Sequence, residues 1–235
     1  MKHGAVLALT LLCGVTGVQA TSLLMRPTTL VLSGKESAAT ITLTNSGEQP
    51  VTAQLRLYSW DQKENDELLV ETSTLVASPP MTSIAPGKSQ TVRVVRVGTT
   101  PATAQESYRL IVDEIVDRSL QSTDSGVVMQ LRYSVPIFVM PKSGTKANAT
   151  VNASVTGDTL KFDVTNSGTT HALISNIKIA YTDGSSRTLN AGLLGYVLPD
   201  KQRQWVFKLP AGDNSGSSAR QVRALINGKE LAVAL

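Results

Sequence analysis

Side chains that could perform catalysis or bind a metal are few in this sequence. It contains two histidines, His3 and His171, and a single cysteine, Cys13. One histidine without a neighbouring cysteine is too small a ligand set for a usual zinc site. A serine–histidine–aspartate triad could be assembled from the residue types present, but no Gly-x-Ser-x-Gly turn accompanies them. We therefore expect no catalytic centre, no metal and no cofactor, with His171 at the surface.

The adjacent acids Asp113 and Glu114 are the next candidates for chemistry. They fall within a strand pattern, so their side chains are predicted to point to opposite faces of a sheet. Such a pair is poorly placed for general acid–base work, and we expect one exposed acid and one structural partner. We expect Trp60 and Trp205 to serve in packing, and no phosphate-binding or dinucleotide motif is present.

The first twenty residues have the features of an export signal. Lys2 is followed by an apolar stretch, and small residues precede a predicted cleavage after Ala20. No other segment is long and apolar enough to insert into a membrane. The formal charge of +4 is mild, and no Lys/Arg block indicates nucleic-acid binding. We expect an exported protein whose mature chain contains no cysteine.

Short strands with turn residues between them fill the remaining sequence. Apolar and polar residues alternate at several places, and no segment has the 3.6-residue apolar period of a helix. The predicted strands are Ala39–Asn45, Val51–Tyr58, Thr91–Val97, Tyr108–Ile115 and Val127–Val139. Many short strands at regular intervals favour an antiparallel sandwich.

A weak internal repeat predicts two such sandwiches. The tetrad Thr-Asn-Ser-Gly occurs at 44–47 and again at 165–168, each time between two strands. Asn and Gly tolerate positive φ, so each tetrad is interpreted as a hairpin turn, as is Asp183-Gly184. We predict an all-β protein of two immunoglobulin-like β-sandwich domains at a fixed angle, with a cleft between them. The predicted divisions are a signal peptide (1–20), a first domain (21–141), a linker (142–146) and a second domain (147–235).

The segment from Gly126 to Pro141 is the most informative for function. On a strand, an apolar row lies on one face, and Val128, Gln130, Arg132 and Ser134 share the other. The apolar row is Val127, Met129, Leu131, Tyr133 and Val135. Pro136 lacks an N–H and belongs at an edge or a strand break. An apolar edge strand can recruit a strand from another chain, although the same row could pack in the protein's own core.

Four segments carry a resemblance to a known family. They are Thr40–Gly47, Ser78–Pro80 with Ile84–Arg93, Glu106–Leu110 with Glu114–Ile115, and Leu131–Pro141. In their order and spacing they resemble the PapD-like periplasmic chaperones of the chaperone–usher pathway, over essentially the whole of residues 21–235. The last segment is similar to the archaic branch that serves spore-coat-U-like pilins.

This resemblance implies donor-strand complementation, in which a chaperone lends a β-strand to an incomplete pilus (fimbrial) subunit. By position, the donor side chains are Val127, Met129 and Leu131, followed by Tyr133. The implied partners are pilus subunits and an outer-membrane usher. Whether the free protein associates with itself through the same strand stays open.

The resemblance also implies a cationic anchor for the subunit's C-terminal carboxylate, because such a group needs charge-assisted hydrogen bonds. The positions that carry Arg and Lys in the better-known members hold Thr29 and Pro136 here. We therefore expect Arg26 together with Arg109 or Arg132 to supply the charge.

Other interpretations of the same pattern are weaker. One is an exported tandem immunoglobulin-like adhesive or structural module, or a pilus subunit itself. A subunit would more often have one incomplete domain and a disulfide. An exported sandwich enzyme or carbohydrate-binding module is disfavoured by the absence of a catalytic cluster and by the low aromatic content of 4%.

Overall fold

The computed structural model describes residues 23–63, 65–98, 103–115, 130–209 and 219–235, and these ranges contain strands and turns but no helix. The predicted signal peptide lies outside the described residues. The strands are β1 (Leu23–Arg26), β2 (Leu30–Leu32), β3 (Ala38–Asn45), β4 (Val51–Lys63), β5 (Asp66–Glu71), β6 (Leu75–Ser78), β7 (Met81–Ile84), β8 (Ser89–Arg96), β9 (Glu106–Ile115), β10 (Arg132–Val139), β11 (Ala149–Thr156), β12 (Thr159–Asn166), β13 (Ala172–Tyr181), β14 (Ser186–Val197), β15 (Lys201–Lys208), β16 (Ala219–Ile226) and β17 (Lys229–Ala234).

Strands β1 to β10 form the first sandwich. One sheet has the order β1-β3-β8-β6, and the other has the order β2-β10-β9-β4-β5, with β7 also paired to β4. Side chains alternate between the interior and the outside, as the sequence pattern predicts. Ile41, Leu43, Val92, Leu110 and Ile137 are fully buried between the sheets. Their burial removes apolar surface from water and holds the two sheets face to face.

Strands β11 to β17 form the second sandwich, with sheet orders β11-β12-β15 and β14-β13-β16-β17. Its core includes Leu160, Phe162, Ile174 and Ile179. The Asp183-Gly184 turn joins the antiparallel neighbours β13 and β14, and Gly184 has a φ of 85°. The predicted hairpin at this position is therefore confirmed.

The two Thr-Asn-Ser-Gly tetrads are not hairpin turns, and that prediction was wrong. Strands β3 and β4 lie in different sheets, and so do β12 and β13, so each tetrad carries the chain across the sandwich. The physical reason is the buried asparagine in each tetrad. Asn45 donates to the carbonyls of Gln49 and Ile84, at 2.7 and 2.9 Å. Asn166 donates in the same way to Thr170 and Val197, at 2.8 and 3.0 Å. Each amide therefore ties the crossing chain to the opposite sheet.

An aromatic cluster joins the two sandwiches. Trp60 and Phe138 of the first pack against Tyr196 and Leu198 of the second. The ring of His171 stacks on Phe138 with 3.8 Å between centroids. His171 is therefore a partly buried contact between the domains, which corrects the expectation of a surface histidine. Burial lowers its pKa to about 4.

Polar contacts surround this cluster. The Gln62 amide donates to the carbonyl of Tyr196 and accepts from the Leu198 N–H, both at 3.0 Å. Asn65 accepts a hydrogen bond from the N–H of Gln204 at 2.7 Å. The end of the β4–β5 hairpin is thus bonded to the second sandwich, which fixes how the two domains meet.

Candidate functional site

Strand β10 has an open edge in the part of the chain that the structure describes. It pairs with β9 along its whole length, from Arg132 to Val139. On its other side, β2 pairs with it in parallel over Ile137–Val139 only. Residues 132–136 therefore have a strand neighbour on one side alone. Unpaired backbone groups of this kind are a template for another strand.

The predicted donor side chains fall partly within the described residues. Val127 and Met129 lie outside them. Leu131 and Tyr133 are described, and Tyr133 shares the core-facing side of β10 with Val135 and Ile137. Arg132 and Ser134, on the opposite side, are exposed. The described register therefore agrees with an apolar row that faces the sandwich interior.

Tyr133 and Glu114 form a hydrogen-bonded pair at the start of β10. The Tyr133 hydroxyl donates to Oε1 of Glu114 at 3.1 Å. Glu114 is 1% exposed, and burial raises the pKa of its carboxyl. Burial, followed by the nearby Glu114 charge, raises the pKa of Tyr133 to about 12. Asp113 points to the other face of β9, as predicted. The expectation that one of the two acids is exposed was wrong, because Asp113 is 6% exposed and its carboxylate is covered by Arg56 and Arg132.

Arg132 is an exposed cation on the open strand. Its Nε lies 2.5 Å from Oδ1 of Asp113, and Arg56 approaches Oδ2 of the same carboxylate at 2.6 Å. Burial acts to raise the pKa of Asp113, but the hydrogen bonds from both arginines outweigh it and hold that pKa low. Two guanidinium groups thus share one carboxylate, and the Arg132 side chain remains 67% exposed.

Arg109 is committed to contacts within the protein. Its guanidinium lies 3.6 Å from the ring centroid of Trp60, a close cation–π contact. It also pairs with Glu67 at 3.2 Å, and Arg203 of the second sandwich reaches the same carboxylate at 3.3 Å. Burial is the main reason that the pKa of Arg109 lies below its ordinary value. These contacts connect the cleft face of the first sandwich to the second.

The structure does not bring the three predicted anchor arginines together. Arg26 is an exposed residue at the end of β1, in the other sheet, and its neighbour Met25 faces the core. Arg109 lies opposite Pro136 and Arg132 lies opposite Asp113, four residues apart along β10. Thr29 is partly buried, and Pro136 is buried. Neither of these two residues provides a charge at the expected positions.

Sequence reasoning missed several residues that hold the cleft together. Gln62, Asn65 and Gln105 did not stand out, because a polar side chain near a strand end is ordinary in sequence. Gln105 accepts a hydrogen bond from the His171 backbone at 3.2 Å and contacts its Nδ1 at 2.8 Å.

No group of metal-ligating side chains occurs among the described residues. Within those same ranges, no helix is long and apolar enough to cross a membrane. Among the described residues, the features that could bind a partner are the open edge of β10 and the exposed Arg132 side chain.

Residues 22–145 match the family of pili and flagellar-assembly chaperones at its PapD N-terminal domain. This match covers more than half of the chain, so the chain belongs to that family. It is a pilus-assembly chaperone, and the resemblance stated from the sequence is confirmed. The alternative of a tandem adhesive module is not favoured.

Solved structures share the fold. The chaperone–tip adhesion subunit pre-assembly complex CsuC–CsuE, from the archaic chaperone–usher Csu pili of Acinetobacter baumannii, matches at a TM-score of 0.65 and 22% identity. That match covers 90% of this chain and 97% of the other. The SafA pilin–SafB chaperone complex of Salmonella enterica matches at 0.64 and 14% identity, over 93% and 99% of the chains. The E. coli chaperone DraB matches at 0.57 and 20% identity, over 92% and 99%. No curated protein matches the sequence. The predicted fold of two immunoglobulin-like sandwiches is confirmed.

Proposed function

We propose that this chaperone acts in the periplasm by donor-strand complementation. It lends β10 and the residues before it to an incomplete pilus subunit and then passes the subunit to an outer-membrane usher. The protein acts by binding, without catalysis. The observation that carries the proposal is the open edge of β10 at residues 132–136, which continues from the apolar row of the preceding segment.

The physical basis is β-strand addition. Main-chain hydrogen bonds from the open edge supply affinity, and alternate side chains fill the groove of the subunit. Val127, Met129 and Leu131 are the proposed groove-filling residues. Each buried apolar side chain contributes about 1.5–3 kcal/mol before the costs of ordering, so three suffice for a firm but exchangeable complex.

The carboxylate anchor is a further part of the proposal. Of Arg26, Arg109 and Arg132, Arg132 is supported by its exposure on the open strand, while Arg109 is occupied by Trp60 and Glu67. Arg26 lies on a different face of the sandwich and would serve a different part of a bound subunit. Each arginine is replaced by Ala in turn, and subunit binding is measured. Undiminished binding for all three would remove the anchor.

The test of donor-strand binding is co-expression with a pilus subunit encoded beside this protein. The double variant Met129→Asp, Leu131→Asp places charges in the proposed groove-filling row. The matched control, Gln130→Asp with Ser134→Asp, places the same charges on the opposite strand face. We expect one-to-one co-purification with the native protein and the control, and loss of the subunit with the first variant. A subunit that binds all three forms alike would overturn the proposal.

A further inference from the structure

Three strands lie close together at the start of β10, where the backbone of Leu23 contacts the Glu114 carboxyl. Leu23 begins β1, Glu114 is near the end of β9, and Tyr133 is near the start of β10. The Tyr133 hydroxyl donates to Glu114 Oε1 at 3.1 Å. The Glu114 N–H donates to the carbonyl of Leu131 at 3.0 Å. A single residue of β9 therefore holds the strand at two points, once through its side chain and once through its backbone.

The Glu114 carboxyl is an unusual group to find in this position. It is 1% exposed, and its Oε2 has no hydrogen-bond partner in the described part of the chain. A buried carboxyl with one unsatisfied oxygen carries a desolvation cost, so the bond from Tyr133 matters more than a surface bond would. Loss of that bond would leave the carboxyl dependent on its contact with the Leu23 backbone.

Tyr133 packs against the core of its own sandwich. A side chain that fills its own core cannot at the same time fill the groove of a bound subunit. The boundary between groove-filling and core-facing side chains in this row therefore falls after Leu131 and before Tyr133. This division leaves Val127, Met129 and Leu131 as the proposed groove-filling residues and assigns Tyr133 to the core of the chaperone.

We propose that Glu114 and Tyr133 form a register lock that ends the donor strand. This inference rests on the donor-strand function proposed above and refines it, because it removes Tyr133 from the groove-filling residues and makes it a positioning residue. The lock matters because a slip of one residue would turn the whole apolar row to the opposite face. By fixing Leu131 and Tyr133 against β9, it sets which side chains the subunit receives.

The test compares two tyrosines of similar chemistry. Tyr108, on β9, also faces the first core and donates to a glutamate, Glu106, at 2.5 Å, but it lies at the end of β9 far from Glu114. Tyr133→Phe and Tyr108→Phe each remove one hydroxyl. Free-protein stability is measured by urea unfolding. The dissociation rate of a complex with a co-expressed pilus subunit is measured in parallel.

We expect both variants to raise the unfolding equilibrium constant of the free protein by about fivefold to tenfold. Only Tyr133→Phe should speed subunit release, by a similar factor, because only that bond fixes the donor register. Equal release rates for the two variants would overturn the lock. So would a Tyr133→Phe protein of unchanged stability that loses the subunit, since Tyr133 would then be a groove-filling residue.

Variants of Glu114 provide a second readout. Glu114→Gln keeps an acceptor for the tyrosine hydroxyl and should release the subunit at the native rate. Glu114→Leu has no acceptor and should release it as fast as Tyr133→Phe. The double variant Glu114→Leu, Tyr133→Phe should be no faster than either single variant, because both remove the same bond. Additive effects would contradict a shared role.

Failure of the lock and failure of the donor strand give different results. If Met129→Asp, Leu131→Asp still captures the subunit, the proposed function fails, whatever the tyrosine variants do. If that variant loses the subunit but Tyr133→Phe behaves like Tyr108→Phe, the donor strand stands and the register lock is wrong.

Discussion

At the scale of single residues, two buried asparagine side chains hold the segments that cross between the sheets. Asn45 and Asn166 are both fully buried, and each satisfies carbonyl groups of the chain that crosses between two sheets. Asn166 Oδ1 also accepts from the backbone N–H groups of Gly168 and Asn148, at 3.0 and 3.1 Å. One side chain thus replaces the backbone pairing that the crossing segment lacks.

Replacing Asn166 by Ala should lower the free energy of unfolding by at least about 2 kcal/mol, because several buried backbone groups would lose their partner. The matched control is Asn152→Ala, on an exposed position of β11, which should change stability by less than about 0.5 kcal/mol. Urea unfolding of both variants checks the prediction. Equal effects for the two would show that the buried amide is not what holds the crossing.

The acids and the histidine that were candidates for chemistry in the sequence make contacts within the protein. Glu114 is bonded to Tyr133, Asp113 holds two arginines, and His171 packs between the domains. The sequence could predict that Asp113 and Glu114 face opposite sides, since that follows from strand alternation alone. It could not predict that His171 is partly buried, because the rings that cover it come from distant strands.

At the scale of elements, the segment between the two sandwiches is closely packed against both. No strand covers residues 140–148. A Cβ added to Gly34 of the first sandwich would lie 2.7 Å from the Cα of Lys142. A Cβ added to Gly168 of the second would lie 2.8 Å from the carbonyl carbon of Ala147. Each domain thus presents a glycine where the connecting backbone passes.

Gly34→Ala and Gly168→Ala should each destabilise the protein by about 1–3 kcal/mol, because the added methyl group meets backbone atoms that have no flexible side chain to move. Ser143→Ala, in the predicted linker itself, is the control and should have little effect. Thermal unfolding measures all three. If the glycine variants were as stable as the control, the connecting segment would not be held against the domains as described.

Strand β10 shows how far an element can be predicted. Its alternating pattern and Pro136 indicated a half-buried edge strand. The described residues follow that alternation only from Arg132 to Val135, and Val135–Val139 are all buried. The parallel pairing with β2 had no sequence signal, because β2 is only three residues long. That short pairing is what limits the open edge to residues 132–136.

At the scale of the whole molecule, one glutamine connects the two domains through buried hydrogen bonds. Gln62→Ala would leave the carbonyl of Tyr196 and the N–H of Leu198 without this partner. We expect a loss of about 2–4 kcal/mol and weaker coupling between the domains. Gln54→Ala, on the same strand with no hydrogen bond from its side chain among the described contacts, is the control.

Small-angle scattering and urea unfolding check the Gln62 prediction together. The native protein and the Gln54 variant should unfold in one transition and share a single scattering profile. The Gln62 variant should show a broader transition and a changed distance distribution. A single sharp transition with an unchanged profile in the Gln62 variant would mean that the other contacts between the domains fix their arrangement without Gln62.

The contact between the domains should also weaken in acid. The pKa of His171 is about 4 in the folded protein, below the ordinary histidine value of about 6.5. Between these two pH values the unfolded chain binds a proton that the folded protein does not. Stability from this group is therefore complete above about pH 6.5 and falls as the pH drops to about 4, by up to about 3 kcal/mol.

His171→Asn tests this pH dependence because asparagine does not titrate. The difference in unfolding free energy between the native protein and the variant should shrink as the pH falls from 7 to 4. The slope is the informative quantity, since the variant also loses the ring stacked on Phe138. A difference that stays constant over this range would show that His171 is protonated equally in both states.

The sequence alone determined the all-β class, the two sandwiches and the family. These follow from local information: period-two alternation, turn residues, the repeat of one tetrad and the order of four short motifs. It also predicted one apolar row over residues 127–135, because alternation along a strand is a local property.

Only the tertiary structure decided which edges are open, which arginines are occupied and which side chains join the domains. Arg109 is committed because Trp60 and Glu67, far away in sequence, meet it in space. Tyr133 packs in its own core, and its hydroxyl reaches Glu114, which lies two residues along β9 from its register partner Val112. Such contacts depend on strand order and register between distant segments, which a local pattern does not encode.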